Sequence, residues 1–344
     1  MTVSRTTIRA LLVQEGSLQR TQLIRVLQRD GDISVIGQPA TAAEAIQHAH
    51  LDRPDVIIID LQLGDGGSQH AIEQIMARNP TPILVLAAET EERHSPSAVQ
   101  ALLAGALEVL PTPARWTEER ETELRHRVRQ LRKVVVVRHP RGGLVKTTYG
   151  QHPCGSSRPV VAVAASTGGP TALASLLSRL GGLTAPVLIV QHLHPEFSSG
   201  LLAWMVRASA LPVEMAKHCH VPQPGHVYLA PGDVHLRLGP GFRLDLSPVP
   251  ESIHRPSADQ LFRSVAEHAG TSAVGVVLTG MGDDGAQGLV EIKLKGGRTF
   301  GQDEASSAVF GMPRAAHLLG AVGDLLPLDQ LAGAIHRAVS EIRG

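Results

Sequence analysis

Short apolar runs alternate with amphipathic stretches along most of the chain. In the first third, Ile8–Val13, Ile33–Ile36, Asp55–Ile59, Pro82–Leu86 and Leu107–Leu110 carry apolar residues without a polar face. Between them, Leu18–Gln28, Thr41–His50, Ser68–Ala77 and Pro96–Ala104 show helical spacing. Strands apolar on both faces, each followed by a helix, predict a parallel, doubly wound α/β sheet. Thr117–Lys133 follows, with Leu124, Val128 and Leu131 on one stripe and charge elsewhere, the pattern of a helix with a solvated face. Val134–Val137 reads equally as an extra strand or a sticky segment. Arg138–Pro159 holds Pro, Gly and Ser without periodicity and reads as a linker.

The strand pattern then resumes with Val160–Ala164, a helix at Pro170–Leu180 and a strand at Ala185–Gln191. A buried strand at Ala273–Leu278 precedes a helix at Ala286–Lys295, and Leu325–Ile342 has the spacing of a terminal amphipathic helix. Gly225–Asp233 is expected to form a hairpin on the sheet edge, and Phe310–Arg314 to supply core and a turn. The breaks divide the chain into a first domain (1–118), a charged helix with a linker (119–155) and a second, mostly parallel α/β domain (156–344).

Composition narrows the function classes. The 344 residues suit about two domains. Thirty-two basic residues balance 32 acidic ones, which gives neither a nucleic-acid groove nor a polybasic membrane anchor. Two cysteines, Cys154 and Cys219, make a disulfide framework unsuited to the chain and point to a reducing compartment. No apolar run approaches the roughly 20 residues of a membrane span, and the first residues enter a strand without a signal-type apolar region. A cytoplasmic protein without direct membrane insertion is expected.

Candidate chemistry sits in three turns, each at the carboxyl end of an expected strand. The first is Ala164-Ala165-Ser166-Thr167-Gly168-Gly169-Pro170. Ser166 there faces a helix amino terminus, which suits a nucleophile beside a developing anion. The same turn also suits a phosphate cradle or a plain connection. The second strand ends at His192. Strands flanking one crossover helix usually neighbour each other, so His192 is expected beside Ser166 as a general base. The third turn, Thr279-Gly280-Met281-Gly282-Asp283-Asp284-Gly285, offers two aspartates to orient an imidazole and glycines that open backbone N–H groups to an oxyanion; it also reads as a helix-cap loop.

Two other readings fare worse. A dinucleotide fold calls for G-x-G-x-x-G and an acid at the end of the second strand, where this chain has Gln191-His192. The pairs His192/His194 and His218/His220, with Cys219, lack the spacing of a zinc site.

Residues 160–342 resemble the catalytic domain of the chemotaxis protein-glutamate methylesterases, the CheB family. The similarity is carried by Ala164–Pro170, Val190–Phe197, Pro224–Leu236, His254–Glu267, Leu278–Leu289 and Gln302–Ala316. The resemblance implies a Ser166, His192, Asp284 triad, with Asp283 at a variable position. It places an oxyanion or substrate contribution near Thr167 and Met281. His194 stands where the family has proline, and His254–Ser257 is expected as a loop near the site, with Arg255 a candidate substrate or helix-dipole contact.

The first domain is similar to two-component receivers, with flavodoxin-like topology. That similarity implies Asp60 as phosphoacceptor and a weak Mg²⁺ site at Glu15 and Asp60. The sequence departs from the receiver pattern at several positions. The acidic pair is Gln14-Glu15, the switch hydroxyl position is Ala87, the lysine position is Thr112, and Leu63-Gly64 follows the acceptor. Gln14 removes one charge from a Mg²⁺ site, and Thr112 removes the cation that would face a phosphoryl group.

The implied function is hydrolysis of receptor γ-glutamyl methyl esters and deamidation of receptor glutamines by an acyl-enzyme, without a cofactor in catalysis. The implied partners are methyl-accepting chemoreceptors and a chemotaxis histidine kinase. Two alternatives stay open: a non-catalytic adaptor using the altered receiver, and a serine hydrolase acting on another ester.

Overall fold

The computed structural model describes residues 7–63, 67–88, 96–134, 158–250 and 254–343. Gly64, residues 135–137 and most of the expected linker, Cys154 included, lie outside these. The chain divides into two compact units, Met1–Arg141 and Gly142–Gly344. The expected strands and helices quoted above are present, with ends shifted by no more than about a helical turn, apart from the hairpin corrected below.

In the first unit, β1 (Ile8–Val13), β2 (Ile33–Gly37), β3 (Val56–Asp60), β4 (Ile83–Ala88) and β5 (Glu108–Thr112) form one parallel sheet. Its order is β2-β1-β3-β4-β5. The helices α1 (Ser17–Gln28), α2 (Ala42–Asp52), α3 (Ser68–Arg78), α4 (Pro96–Leu103) and α5 (Glu118–Leu131) connect or close it. Val56–Ile59 is fully buried, which is why this run has no polar alternation, and Asp60 emerges half-buried at the strand's carboxyl end.

The charge of α5 behaves differently from the solvated face expected of it. Thr117 caps the helix by accepting the Arg120 N–H. Arg125 is buried, and its Nε donates to Asp30 Oδ2 at 2.9 Å. Arg129 reaches Asp32 at 2.7 Å and Asp30 at 2.6 Å. The hydrogen bond from Arg129, followed by the charges of Arg125 and Arg129, holds Asp30 below the usual carboxylate range despite the opposing effect of burial. These guanidinium groups lie on the face that also buries Leu124, Val128 and Leu131, so α5 packs onto α1 within the first unit. Periodicity in apolar residues alone cannot reveal a docking face half made of arginine.

In the second unit, seven strands form a parallel sheet: β6 (Val160–Ala165), β7 (Val187–Gln191), β8 (Val213–Met215), β9 (Val227–Leu229), and later β12 (Ala273–Val277), β13 (Arg298–Gln302) and β14 (Asp324–Leu326). A separate antiparallel pair, β10 (His235–Gly239) and β11 (Arg243–Ser247), lies between them in sequence. The helices are α6 (Gly169–Leu177), α7 (Ser198–Ala208), α8 (Ala258–Ala269), α9 (Ala286–Leu294), α10 (Met312–Leu318) and α11 (Leu328–Arg343). The order β14-β13-β12-β6-β7-β9-β8 reverses direction at β6, so the topological switch lies between β6 and β12. Val161, Val163 and Ala165 pack into a core shared with α6, α7 and α11, while Val160, Ala162 and Ala164 pack into one shared with α8, α9 and α10.

The hairpin expected at Gly225–Asp233 does not form. Val227, Tyr228 and Leu229 are all buried, and β9 runs parallel between β7 and β8. A strand buried on both faces has no place on an exposed edge. The Pro231-Gly232-Asp233 turn leads instead into β10, and the hairpin is β10–β11, closed through Gly241 and Phe242, both at positive φ.

Candidate active site

Backbone pairing brings the three turns together before any side chain is considered. The His192 N–H donates to Ala165 O at 2.9 Å, and the Ser166 N–H donates to Thr279 O at 3.1 Å. Ser166 therefore lies between the turn after β7 and the turn after β12, at the switch point. Its carbonyl accepts the Gly169 N–H and the Gln191 side-chain amide, both at 2.8 Å. Gly168, at φ +76°, makes the sharp entry into α6, which has Pro170 in its first turn.

Two further residues shape the serine's surroundings. Thr279 Oγ1 lies 3.0 Å from Thr167 O and accepts the Val309 N–H at 2.9 Å, and its own N–H is satisfied by buried Gln302. Gly280 is required by contact: a Cβ there would stand 2.8 Å from Ser166 Cβ and overlap Met312 Sδ. Among the described residues, the N–H groups of Thr167, Gly168 and Met281 donate to no backbone acceptor.

His192 and Asp284 are both largely buried, and His192 Nε2 lies 2.8 Å from Asp284 Oδ2. Asp284 also takes three bonds from the start of α8. Oδ2 accepts the Ala258 N–H at 2.7 Å, while Oδ1 accepts the Asp259 N–H at 3.0 Å and the Ser257 hydroxyl at 2.9 Å. Burial alone would raise its pKa. The hydrogen bond and charge of His192, with the backbone donors, outweigh that and hold the carboxyl far below the ordinary 3.8. Asp283 is exposed, so the geometry separates the two aspartates.

With Nε2 against the carboxylate, the other ring nitrogen, Nδ1, is buried and makes no hydrogen bond. The imidazole also stacks on His254, with ring centroids 4.4 Å apart and planes inclined by 11°. His254 and Ser257 belong to the loop expected near the site, and the structure adds their direct contacts with His192 and Asp284. Ser257-Ala258-Asp259-Gln260 carries a capping-box signature, and Ser257 Oγ accepts the Gln260 N–H. That signal marks a helix amino terminus, and such a terminus is where a buried carboxylate is best held.

The remaining candidates lie apart from these contacts. His218 Nδ1 accepts the Leu246 N–H beside β11, and His220 lies 3.4 Å from the Tyr228 hydroxyl. Among the described residues, no group of three His, Cys, Asp or Glu side chains could hold a metal ion.

In the first unit, Asp60 Oδ1 accepts the Gln62 N–H at 2.9 Å, and the buried Gln14 amide also hydrogen-bonds Asp60. Burial, with the nearby Glu15 charge adding to it, raises the Asp60 pKa above 3.8. Ala87 is buried, and Thr112 ends β5. A Mg²⁺–phosphoryl site needs hard oxygen donors and a cation. An amide donating to the acceptor carboxylate, without a lysine or a switch hydroxyl, does not fit that group.

Comparison with known proteins matches residues 161–335 to the CheB methylesterase family and residues 10–121 to the response regulator receiver domain. The chain belongs to the CheB methylesterase family. It is 41% identical over 95% of its length to protein-glutamate methylesterase/protein-glutamine glutaminase 2 of Anaeromyxobacter dehalogenans, covering 96% of that protein. It is 34% identical over 98% of its length to the protein of the same name from Methanospirillum hungatei, covering 99% of it. The solved catalytic domain of Thermotoga maritima CheB matches 53% of this chain and 99% of its own, with 31% identity and a TM-score of 0.51. A receiver followed by a CheB catalytic unit is therefore the arrangement of this protein.

Proposed function

We propose that this chain hydrolyses glutamate γ-methyl esters on methyl-accepting chemoreceptors, releasing methanol, and deamidates receptor glutamines at the same site. The observation that carries the reading is the His192–Asp284 hydrogen bond, anchored on α8 and strand-adjacent to Ser166. Asp284 holds the proton on Nε2, which leaves the Nδ1 lone pair for the serine proton. Ser166 Oγ attacks the ester carbonyl while Nδ1 takes its proton. The tetrahedral oxyanion is held by the N–H groups around Thr167 and Met281, where one such donor is worth ~2.7–4 kcal/mol. The imidazolium then protonates the departing methoxide, and the acyl group remains on Ser166.

Water completes the cycle. Nδ1 takes a proton from it, hydroxide adds to the acyl carbonyl, and Ser166 leaves with that proton as glutamate is released. A γ-carboxamide follows the same path with ammonia as the leaving group. Proton and acyl transfers use Ser166, His192, Asp284 and water, with the backbone N–H groups around Thr167 and Met281 holding the oxyanion.

The receiver unit, in this reading, serves as a docking module for the receptor and its histidine kinase in the cytoplasm, because its acceptor site does not suit a Mg²⁺–phosphoryl group. Among the described residues, no helix is long and apolar enough to cross a membrane. Methanol release from methylated receptor tests the catalytic reading: the full chain releases it and Ser166→Ala does not. Hydrolysis of simple methyl esters without release from receptor would assign the triad to another substrate. No hydrolysis of any ester would favour an adaptor.

A further inference from the structure

We propose that His254 and Ser257, on the segment entering α8, are positioning residues for the catalytic pair. Together they hold the His192 ring and the Asp284 carboxylate so that Nδ1 alone is free to take the serine proton. This rests on the esterase reading but concerns residues that do not touch the reacting atoms.

Two surfaces of the imidazole–carboxylate pair are fixed from one short segment. The His254 ring lies nearly parallel to the His192 ring at 4.4 Å, close enough to block rotation of the imidazole out of its plane. Ser257 fixes the carboxylate, because its hydroxyl donates to Oδ1 at 2.9 Å while the same oxygen accepts the Gln260 N–H as the helix cap. The next two backbone N–H groups, of Ala258 and Asp259, divide between Oδ2 and Oδ1. The carboxylate is thus gripped on both oxygens, and rotating it would break bonds at each.

The arrangement has a chemical purpose. A neutral imidazole can carry its proton on either nitrogen, and only one tautomer leaves the buried Nδ1 basic. A fixed carboxylate selects that tautomer, and a stacked ring prevents the flip that would exchange the two nitrogens. Misplacement by about 1 Å in such a constellation can cost ~10²-fold in rate.

The test uses the full chain and two readouts. The first is kcat and KM for methanol release from methylated receptor. The second is the ¹⁵N and ¹H spectrum of the His192 ring, which reports its tautomer without any substrate. Four variants are compared well below their melting temperatures: His254→Ala, His254→Phe, Ser257→Ala and Ser257→Thr.

The alanine variants are expected to lower kcat by ~10-fold to 10²-fold with KM within about twofold, and to turn a single Nε2–H tautomer into a mixture. His254→Phe restores the stack and Ser257→Thr restores the hydroxyl, so both recover most of kcat and the single tautomer. The proposal is overturned if the alanine variants keep wild-type kcat and spectrum. It is equally overturned if Phe and Thr behave like Ala, which would make the residues merely structural. If the wild type released no methanol, the esterase reading would fail while the ring spectra still decided the positioning role.

Discussion

Asp60 and Asp284 both stand at or just beyond the carboxyl end of a central strand in a parallel, doubly wound sheet, yet their surroundings differ in kind. Asp284 accepts four hydrogen bonds, from His192, Ser257, Ala258 and Asp259, and is held ionised. Asp60 is half-buried beside a second carboxylate, takes bonds from Gln62 and Gln14, and has its pKa raised. The same fold position therefore yields a firmly charged group in one unit and a reluctantly charged one in the other. What differs is the donors aimed at the carboxylate.

The largest expected effect is on the catalytic side. Ser166→Ala should lower kcat for methanol release by ~10⁴-fold or more, measured by single-turnover assay. Residual turnover within tenfold of wild type would remove Ser166 from the mechanism. Next, the adjacent aspartates should separate sharply. Asp284→Asn keeps the shape but loses the preference for one tautomer, and should cost ~10³–10⁴-fold in kcat, while exposed Asp283→Asn changes it less than twofold. Equal losses at the two positions would contradict the geometry.

On the receiver side, the wild type should show no Mg²⁺-dependent labelling by a small phosphodonor on a phosphate-affinity gel. Restoring three positions together, Gln14→Asp, Ala87→Thr and Thr112→Lys, should produce labelling that Asp60→Ala removes. Labelling of the wild type at Asp60 would collapse the contrast between the two units.

The smallest effect is on stability. Since the folded Asp60 pKa lies above its ordinary 3.8, the folded state favours the protonated carboxyl. That preference stabilises fully below the unfolded pKa and is lost as pH rises through the folded one. Asp60→Asn should therefore raise the melting temperature of the first unit by a few degrees at pH 7, and the gain should vanish toward pH 3.8. Asp284 has the opposite sign: its contribution is present above 3.8 and is lost as pH falls through its depressed folded value. A gain from Asp60→Asn that persisted unchanged at low pH would show that charge is not its origin.

The sequence revealed unevenly what the structure contains. Buried parallel strands such as Val160–Ala164, Ala185–Gln191 and Ala273–Leu278 were legible because both faces are apolar, and the turns holding Ser166, His192 and the Asp283–Asp284 pair followed from them, whereas the choice of Asp284 came from the family resemblance. The packing of α5 was not legible, because Arg125 and Arg129 dock by pairing with Asp30 and Asp32, distant in the chain. β9 was misread as part of an edge hairpin because its partners, β7 and β8, are brought beside it by connections that a local pattern does not show. His254–Ser257 was expected as a loop near the site, but its residues by themselves carry ordinary loop and cap signals. Their contact with His192 and Asp284 exists only once α8 is folded against the turn after β12.

In the function proposed above, the second unit carries complete acyl-transfer chemistry while the first lacks complete phosphoryl chemistry. The most direct test is one time course of methanol release from methylated receptor by the full chain, with and without a small phosphodonor and Mg²⁺. The predicted result is release that depends on Ser166 and has the same rate in both conditions. No Ser166-dependent release, or a stimulation by phosphodonor that Asp60→Ala abolishes, would contradict the account.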